Sequence, residues 1–187
     1  MVSLSVSDLS SGMTIEYEGE LCRIVDYEHS KRGRGDAFAR LKLKSLENGR
    51  TFSTTFKGSA NIQKAYLEKR PLRFLYAQGD TYNFMEEESY EQFQVIADKL
   101  GNKVKFLKDN LELTGLFHEG KLISIDLPTF VELEVDDTRP GVKGDTASGA
   151  EKPAQLVSGL EIQVPLFIKE GDVVKVDTRS GEYVERV

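Results

Sequence analysis

The sequence has 187 residues, of which 39% are hydrophobic and 30% charged, the make-up of a folded soluble protein and not of a disordered tail. Its 25 Lys and Arg against 31 Asp and Glu leave a net charge of -6, which argues against nonspecific nucleic-acid binding but not against a directed contact. One cysteine, Cys22, and two histidines, His29 and His118, exclude an internal disulfide and any multi-cysteine zinc site, so no metal and no cofactor are expected.

No apolar run approaches the length of a membrane span, and Met1 to Ser10 lacks the pattern of a signal peptide. A cytoplasmic protein without a membrane partner is the expectation. Taken in order, the chain first offers strands at Thr14 to Tyr17, Leu21 to Tyr27, Ala37 to Leu43 and Arg50 to Phe56. Glu18-Gly19, a basic glycine turn and Asn48-Gly49 separate them, each a hairpin signal, and together they predict a small closed β-barrel. Cys22, inside the second strand, reads as a small core residue.

A polar, helix-compatible connector from Ser59 to Arg70 leads to Pro71, where strands resume. Leu72, Phe74 and Tyr76 alternate, Gln78-Gly79-Asp80 turns the chain, and Tyr82 and Phe84 lie on the return. Glu86 to Glu88 reads as a solvated loop, and Ala97 to Asp109 as a short helix interrupted at Gly101. A hairpin around Glu119-Gly120 then joins Leu111 to His118 with Lys121 to Asp126, completing the element count of an oligonucleotide-binding (OB) barrel. After Leu127-Pro128, Val131, Leu133 and Val135 open a third set, and Asp136 to Ala150 is a long loop. Leu160 to Leu166, Val173 to Val176 and a closing strand after Asp177 follow. The fold class expected is all-β, three small β-barrels at 1-64, 65-127 and 128-187.

Two features carry chemistry. His29 to Lys44 places Lys31, Arg32 and Arg34 around Gly33 and Gly35 at a hairpin tip, where guanidinium forks can grasp phosphate. Taken alone, that stretch reads as a solvated basic turn. Phe74, Tyr76, Tyr82 and Phe84 could form a base-stacking face, although alternating strand aromatics are mostly core. Neither histidine stands in a motif with a nucleophile, and Gly141 to Thr146 lacks the spacing of a phosphate loop, so no catalytic residue is assigned.

A third feature is a series of motifs spread over nearly the whole chain. Lys152-Pro-Ala154, Gly159, Ile162, Val164-Pro165, Ile168 and Gly171 fall at the spacing of a family signature. Phe130-Val-Glu-Leu-Glu, Pro140-Gly-Val-Lys-Gly-Asp-Thr146, Val176 to Tyr183, Lys57 after Thr-Phe, Leu75-Tyr76 with Gly79-Asp80, and Phe84-Met85 add to it. The sequence resembles bacterial elongation factor P. The resemblance implies an SH3-like or KOW barrel with the basic tip loop, followed by two OB folds in an L shape similar to transfer RNA.

What the resemblance implies for function is a non-enzymatic translation factor. It would bind the 70S ribosome between the peptidyl and exit sites, touching peptidyl-site tRNA and ribosomal RNA, as a monomer. It would relieve stalling at consecutive prolines by holding the tRNA end in line, an effect of orientation. Arg34 would meet the terminal CCA of the tRNA, supported by Lys31, Arg32, Gly33 and Gly35. Gly144, Asp145 and Thr146, with Tyr183 and Arg186, would face the small subunit or the tRNA.

The tip departs from the common pattern: Arg34 stands where many members carry lysine, and Arg32 where a proline is typical. A guanidinium stays protonated and is a poor nucleophile, which disfavours acylation. Two alternatives follow, a rhamnosylated Arg34 with a glycosyltransferase as a further partner, or an unmodified one. Two readings compete with the translation factor as a whole: a free-standing OB or KOW RNA-binding module acting off the ribosome, and an enzyme on barrel domains, which would need a pocket of convergent titratable groups.

Overall fold

A computed structural model describes residues 2–30, 38–139 and 151–187. The described residues form three antiparallel sheets, with helix confined to short pieces, so the class is all-β as the alternation predicts.

The first sheet contains β1 (Val2–Leu4), β2 (Thr14–Tyr17), β3 (Glu20–Ser30), β4 (Phe38–Ser45), β5 (Thr51–Lys57) and β6 (Ile62–Lys64), in the order β1-β6-β2-β3-β4-β5. Glu18 and Gly19 both take positive φ, 51° and 81°, and form the two-residue turn whose twist matches that of paired strands, with Tyr17 opposite Glu20. Along β4 burial alternates strictly: Ala39, Leu41, Leu43 and Ser45 face in, while Arg40, Lys42 and Lys44 face out. Val6, Leu9, Ile15, Cys22, Ile24 and Ile62 complete this core, so Cys22 is the core residue its position predicts. The connector read as helix-compatible is instead extended. Ile62–Lys64 pairs with both β1 and β2, and this long-range pairing overrides a local composition that suits helix.

The second sheet contains β7 (Glu68–Gln78), β8 (Thr81–Glu86), β9 (Gln92–Ile96), β10 (Glu112–His118) and β11 (Lys121–Asp126), in the order β11-β10-β7-β8-β9. The interrupted helix is present as α1 (Ala97–Leu100) followed by a 3-10 helix over Gly101–Phe106. At the break Gly101 takes φ 55°, ψ -133°, a conformation that side-chain-bearing residues rarely adopt. The aromatic set divides. Phe74 and Phe84 are buried and their rings lie 5.5 Å apart, whereas Tyr76 is 50% exposed. A register shift between Phe74 and Tyr76 is the cause: Phe74 pairs with Phe84 but Tyr76 with Asn83, so the bulge carries Tyr76 out of the core phase. The acidic run is likewise only partly a solvated loop. Glu86 ends β8 and is buried, accepting a hydrogen bond from Ser89 Oγ at 2.5 Å, and Glu87 accepts two from Arg73 at 2.6 and 3.0 Å.

The third sheet contains β12 (Phe130–Thr138), β13 (Glu151–Leu156), β14 (Glu161–Pro165), β15 (Val173–Asp177) and β16 (Tyr183–Arg186), in the order β14-β13-β12-β15-β16. Val131, Leu133, Val135, Ala154, Leu156, Ile162, Val164, Ile168, Val174 and Val176 are its buried hydrophobic residues, and Thr138 and Lys152 are buried beside them. Strand β12 runs to Thr138, farther than the sequence pattern suggests, because it pairs with β13 as far as Ala154. The chain divides into two compact units, Met1–Arg70 with Gly115–Ile125, and Pro71–Thr114 with Asp126–Val187.

Two outcomes test this packing. Phe84→Ala deletes a fully buried ring and lowers unfolding free energy by about 3–5 kcal/mol in denaturant titration; a loss below about 1 kcal/mol is incompatible with a closely packed site. Burial pushes the Cys22 thiol up, with Glu20 adding to the effect. The native thiol therefore reacts with a disulfide reagent only as fast as the protein opens, and immediate reaction would refute its burial.

Candidate functional site

The hairpin β3–β4 carries the basic stretch, and its stem is well anchored. Leu41 and Leu43 are fully buried, and the Tyr27 hydroxyl donates to the Val6 carbonyl at 3.1 Å. The Tyr17 hydroxyl bonds to Thr54 Oγ1 at 3.1 Å, and the Tyr17 ring packs on Phe52 and Phe56 with centroids 5.7 and 5.6 Å away. Pairing runs out to Ser30 opposite Phe38. Lys31, Arg32, Gly33, Arg34 and Gly35 follow directly and lie outside the described residues.

Charge on the stem is partly balanced. Arg40 stands opposite Glu28 on one side and Thr55 on the other, Lys42 between Asp26 and Ser53, and Lys44 between Arg23 and Thr51. Cross-strand pairs of opposite sign contribute only about 0.2–1 kcal/mol each, but they offset the positive field of β4 locally. The bulge between Ile24 and Asp26 makes these pairs possible by returning Asp26 and Glu28 to the outer face. Lys44, opposite Arg23, is not offset in this way, and Lys31, Arg32 and Arg34, accompanied in sequence only by Asp36, add to the positive charge of this end.

Gly144, Asp145 and Thr146 also lie outside the described residues, within 140–150. Their flanks are described. Thr138 Oγ1 donates to the Pro153 carbonyl at 3.0 Å, and Lys152 Nζ donates to the Arg139 carbonyl at 2.7 Å.

Tyr183 and Arg186 both lie on the sheet-edge strand β16, but the strand does not bring them together. Tyr183 pairs with Val176 and lines a groove with Gln163 and with Glu151, Glu161 and Glu182, whose three carboxylates disfavour a phosphate there. Arg186 pairs with Val174, and its guanidinium lies 5.7 Å from the centre of the exposed Phe167 ring and 3.7 Å from Asp172. Phe167, 58% exposed, is a neighbour that sequence reasoning missed, since the strand alternation gives no hint that it escapes the core. The turn before β16 is held by Arg179, which donates to Asp177 through its backbone N at 2.8 Å and its side chain at 3.0 and 2.5 Å. These bonds hold the Asp177 carboxyl down to about 2. Among the described residues no group of three or more His, Cys, Asp and Glu is arranged to hold a metal, and no helix is long and apolar enough to cross a membrane.

Family models match three successive stretches: an elongation factor P KOW-like domain over residues 5–62, its OB domain over 67–125, and its C-terminal domain over 131–186. Elongation factor P of Natranaerobius thermophilus is 51% identical over 184 residues, spanning 98% of this chain and 98% of the relative. The chain belongs to the elongation factor P family. It is thus a translation elongation factor built of KOW-like and OB domains. Elongation factor P of Pelotomaculum thermopropionicum is 46% identical over 98% of this chain and all of its own length, 100%. A solved structure, eukaryotic translation initiation factor 5A from Methanococcus jannaschii, matches 67% of this chain and 94% of its own with a TM-score of 0.55. At 21% identity that likeness speaks for the fold alone.

The Asp177 geometry has a measurable consequence. Its folded value lies below its ordinary 3.8, so the stability it contributes is present above that value and is lost as pH falls toward about 2. By carbon-detected NMR titration Asp177 should show a midpoint near 2, moving up in Arg179→Ala. A midpoint at the ordinary value in the parent protein would mean that the turn is not closed in solution.

Proposed function

We propose that this elongation factor P family protein binds the ribosome between the peptidyl and exit sites and stimulates peptide-bond formation at consecutive prolines. The observation that carries the reading is the match of all three family domains, in order, over nearly the whole chain. Segments 1–64, 65–127 and 128–187 are then three domains, the first presenting the basic tip.

The mechanism is one of orientation. Proline is a secondary amine with a fixed ring, so two successive prolines present poor geometry at both reacting ends. A protein that holds the peptidyl-tRNA end in line accelerates the step without supplying an acid, a base or a nucleophile. In this role Arg34 contacts the backbone of the terminal CCA, with Lys31 and Arg32 as phosphate contacts and Gly33 and Gly35 allowing close approach. The anchored β3–β4 stem supports the assignment, since a contact of this kind needs a rigid mount. Gly144, Asp145 and Thr146 face the small subunit, and Arg186 with Phe167 offers a cation and a ring to the same partner. Tyr183, amid carboxylates, serves a neutral or cationic group of the small subunit or tRNA better than a phosphate.

Arg34→Ala is the decisive variant: it leaves the thermal transition unchanged and abolishes rescue of a consecutive-proline reporter in reconstituted translation. Normal rescue by the folded variant would refute the role given to the tip. Cosedimentation with 70S ribosomes at moderate salt separates this reading from an off-ribosome RNA-binding module, which would prefer naked RNA. Mass spectrometry of the fragment holding Arg32 and Arg34 decides between the alternatives at the tip, a deoxyhexose-sized addition marking the rhamnosylated form and an unshifted peptide the bare guanidinium.

A further inference from the structure

The KOW-like match ends at residue 62 and the OB match begins at residue 67, and a joint between domains is ordinarily loose, because few contacts cross it. Here consecutive residues of the joint are fastened to different elements. The Ala65 N–H donates to the Thr14 carbonyl of β2 at 3.0 Å, extending the pairing of β6 with β2. The carbonyl of Tyr66, the next residue, is bonded to His118 Nδ1 at the end of β10, again at 3.0 Å. A carbonyl oxygen only accepts, so Nδ1 carries the proton and His118 is the donor in its neutral and protonated forms alike.

Two ring contacts border this bond. Lys64 Nζ lies 4.9 Å from the centre of the Tyr66 ring, and the Arg70 guanidinium carbon 4.6 Å from the centre of the Phe117 ring, the neighbour of His118. Arg70 is held in turn by Glu68, its Nη2 donating to the carboxylate at 2.8 Å. The burial of β10 points the same way. Successive side chains of a strand point to opposite faces, yet Leu116 and Phe117 are 1% and 0% exposed, so both faces of β10 are covered here. The Arg70 guanidinium is part of what lies over Phe117. All of these residues belong to one compact unit, Met1–Arg70 with Gly115–Ile125.

We propose that His118 is a positioning residue. By holding the Tyr66 carbonyl it fastens the β10–β11 hairpin to the first sheet, so that the two move as one body and the first sheet does not swing on residues 65–67. That this matters for translation rests on the reading of the first sheet as the mount of a tRNA contact. The fastening itself does not.

Asparagine places its amide nitrogen about where Nδ1 stands, whereas leucine fills similar space without a donor, so His118→Asn and His118→Leu separate the hydrogen bond from the packing. Residual dipolar couplings from β2–β5 and from residues 115–125 of the parent fit a common alignment tensor. In His118→Leu they require separate tensors, the amides of residues 65–70 exchange roughly threefold to tenfold faster, and rescue of a consecutive-proline reporter falls several-fold. His118→Asn restores all of these. Should the leucine variant fail to fold, His118→Gln, whose amide nitrogen reaches one bond farther, takes its place. Separate tensors in the parent, or a common tensor in His118→Leu, would overturn the fastening. So would His118→Asn behaving like His118→Leu, the signature of lost packing and not of a lost hydrogen bond. Parent-level rescue by a loosened His118→Leu overturns the positioning role where Arg34→Ala abolishes rescue. If Arg34→Ala also rescues normally, it is the reading of the tip that has failed, and the couplings still decide the fastening.

Discussion

The pairing of β4 between β3 and β5 is the constraint on which the basic end of the molecule depends. One strand there does two jobs at once, because successive side chains on an extended chain point to opposite faces. Ala39, Leu41 and Leu43 fill a core with Ile24 and Ile15, while Arg40, Lys42 and Lys44 lie outside against Glu28, Asp26 and a row of hydroxyls. A slip of one residue would bury the cations and expose the leucines, so the register is strongly specified. The tip is consequently carried by a stem whose pairing extends to its last described residues.

Bulges are the second recurring device, and each re-aims particular residues. Between Ile24 and Asp26 a shift returns the acidic residues to the outer face; between Phe74 and Tyr76 it turns a tyrosine out; between Val135 and Asp137 it turns Thr138 in. None of these is a packing defect, since the buried residues on either side stay in phase with their partners. One such shift turns an aromatic side chain outward and another turns a polar one, Thr138, inward.

The electrostatics of the third sheet differ from those of the first. Tyr183 sits among carboxylates and Arg186 beside Phe167 and Asp172, so two residues of one edge strand face different chemistry. The field along this edge is therefore mixed in sign and not uniformly positive, in keeping with the net charge of -6.

Much of this was legible from residue order alone. Alternation named most strands of each sheet, though not β1, β6, β9 or β13; Glu18-Gly19 and Glu119-Gly120 named tight turns whose residues do take positive φ, and Gly101 marked the helix break. The family signature was legible for the same reason, since it is written in linear spacing. What residue order could not supply were features that depend on a partner distant in the chain. Ile62–Lys64 looks helical until β1 and β2 claim it, and Tyr76 looks like core until a bulge displaces it. Lys152 looks like any surface lysine, yet it is buried and its Nζ donates to the Arg139 carbonyl. Periodicity is local and belongs to the sequence; register, bulges and the burial of a lysine arise only when strands meet, and those the tertiary structure decided.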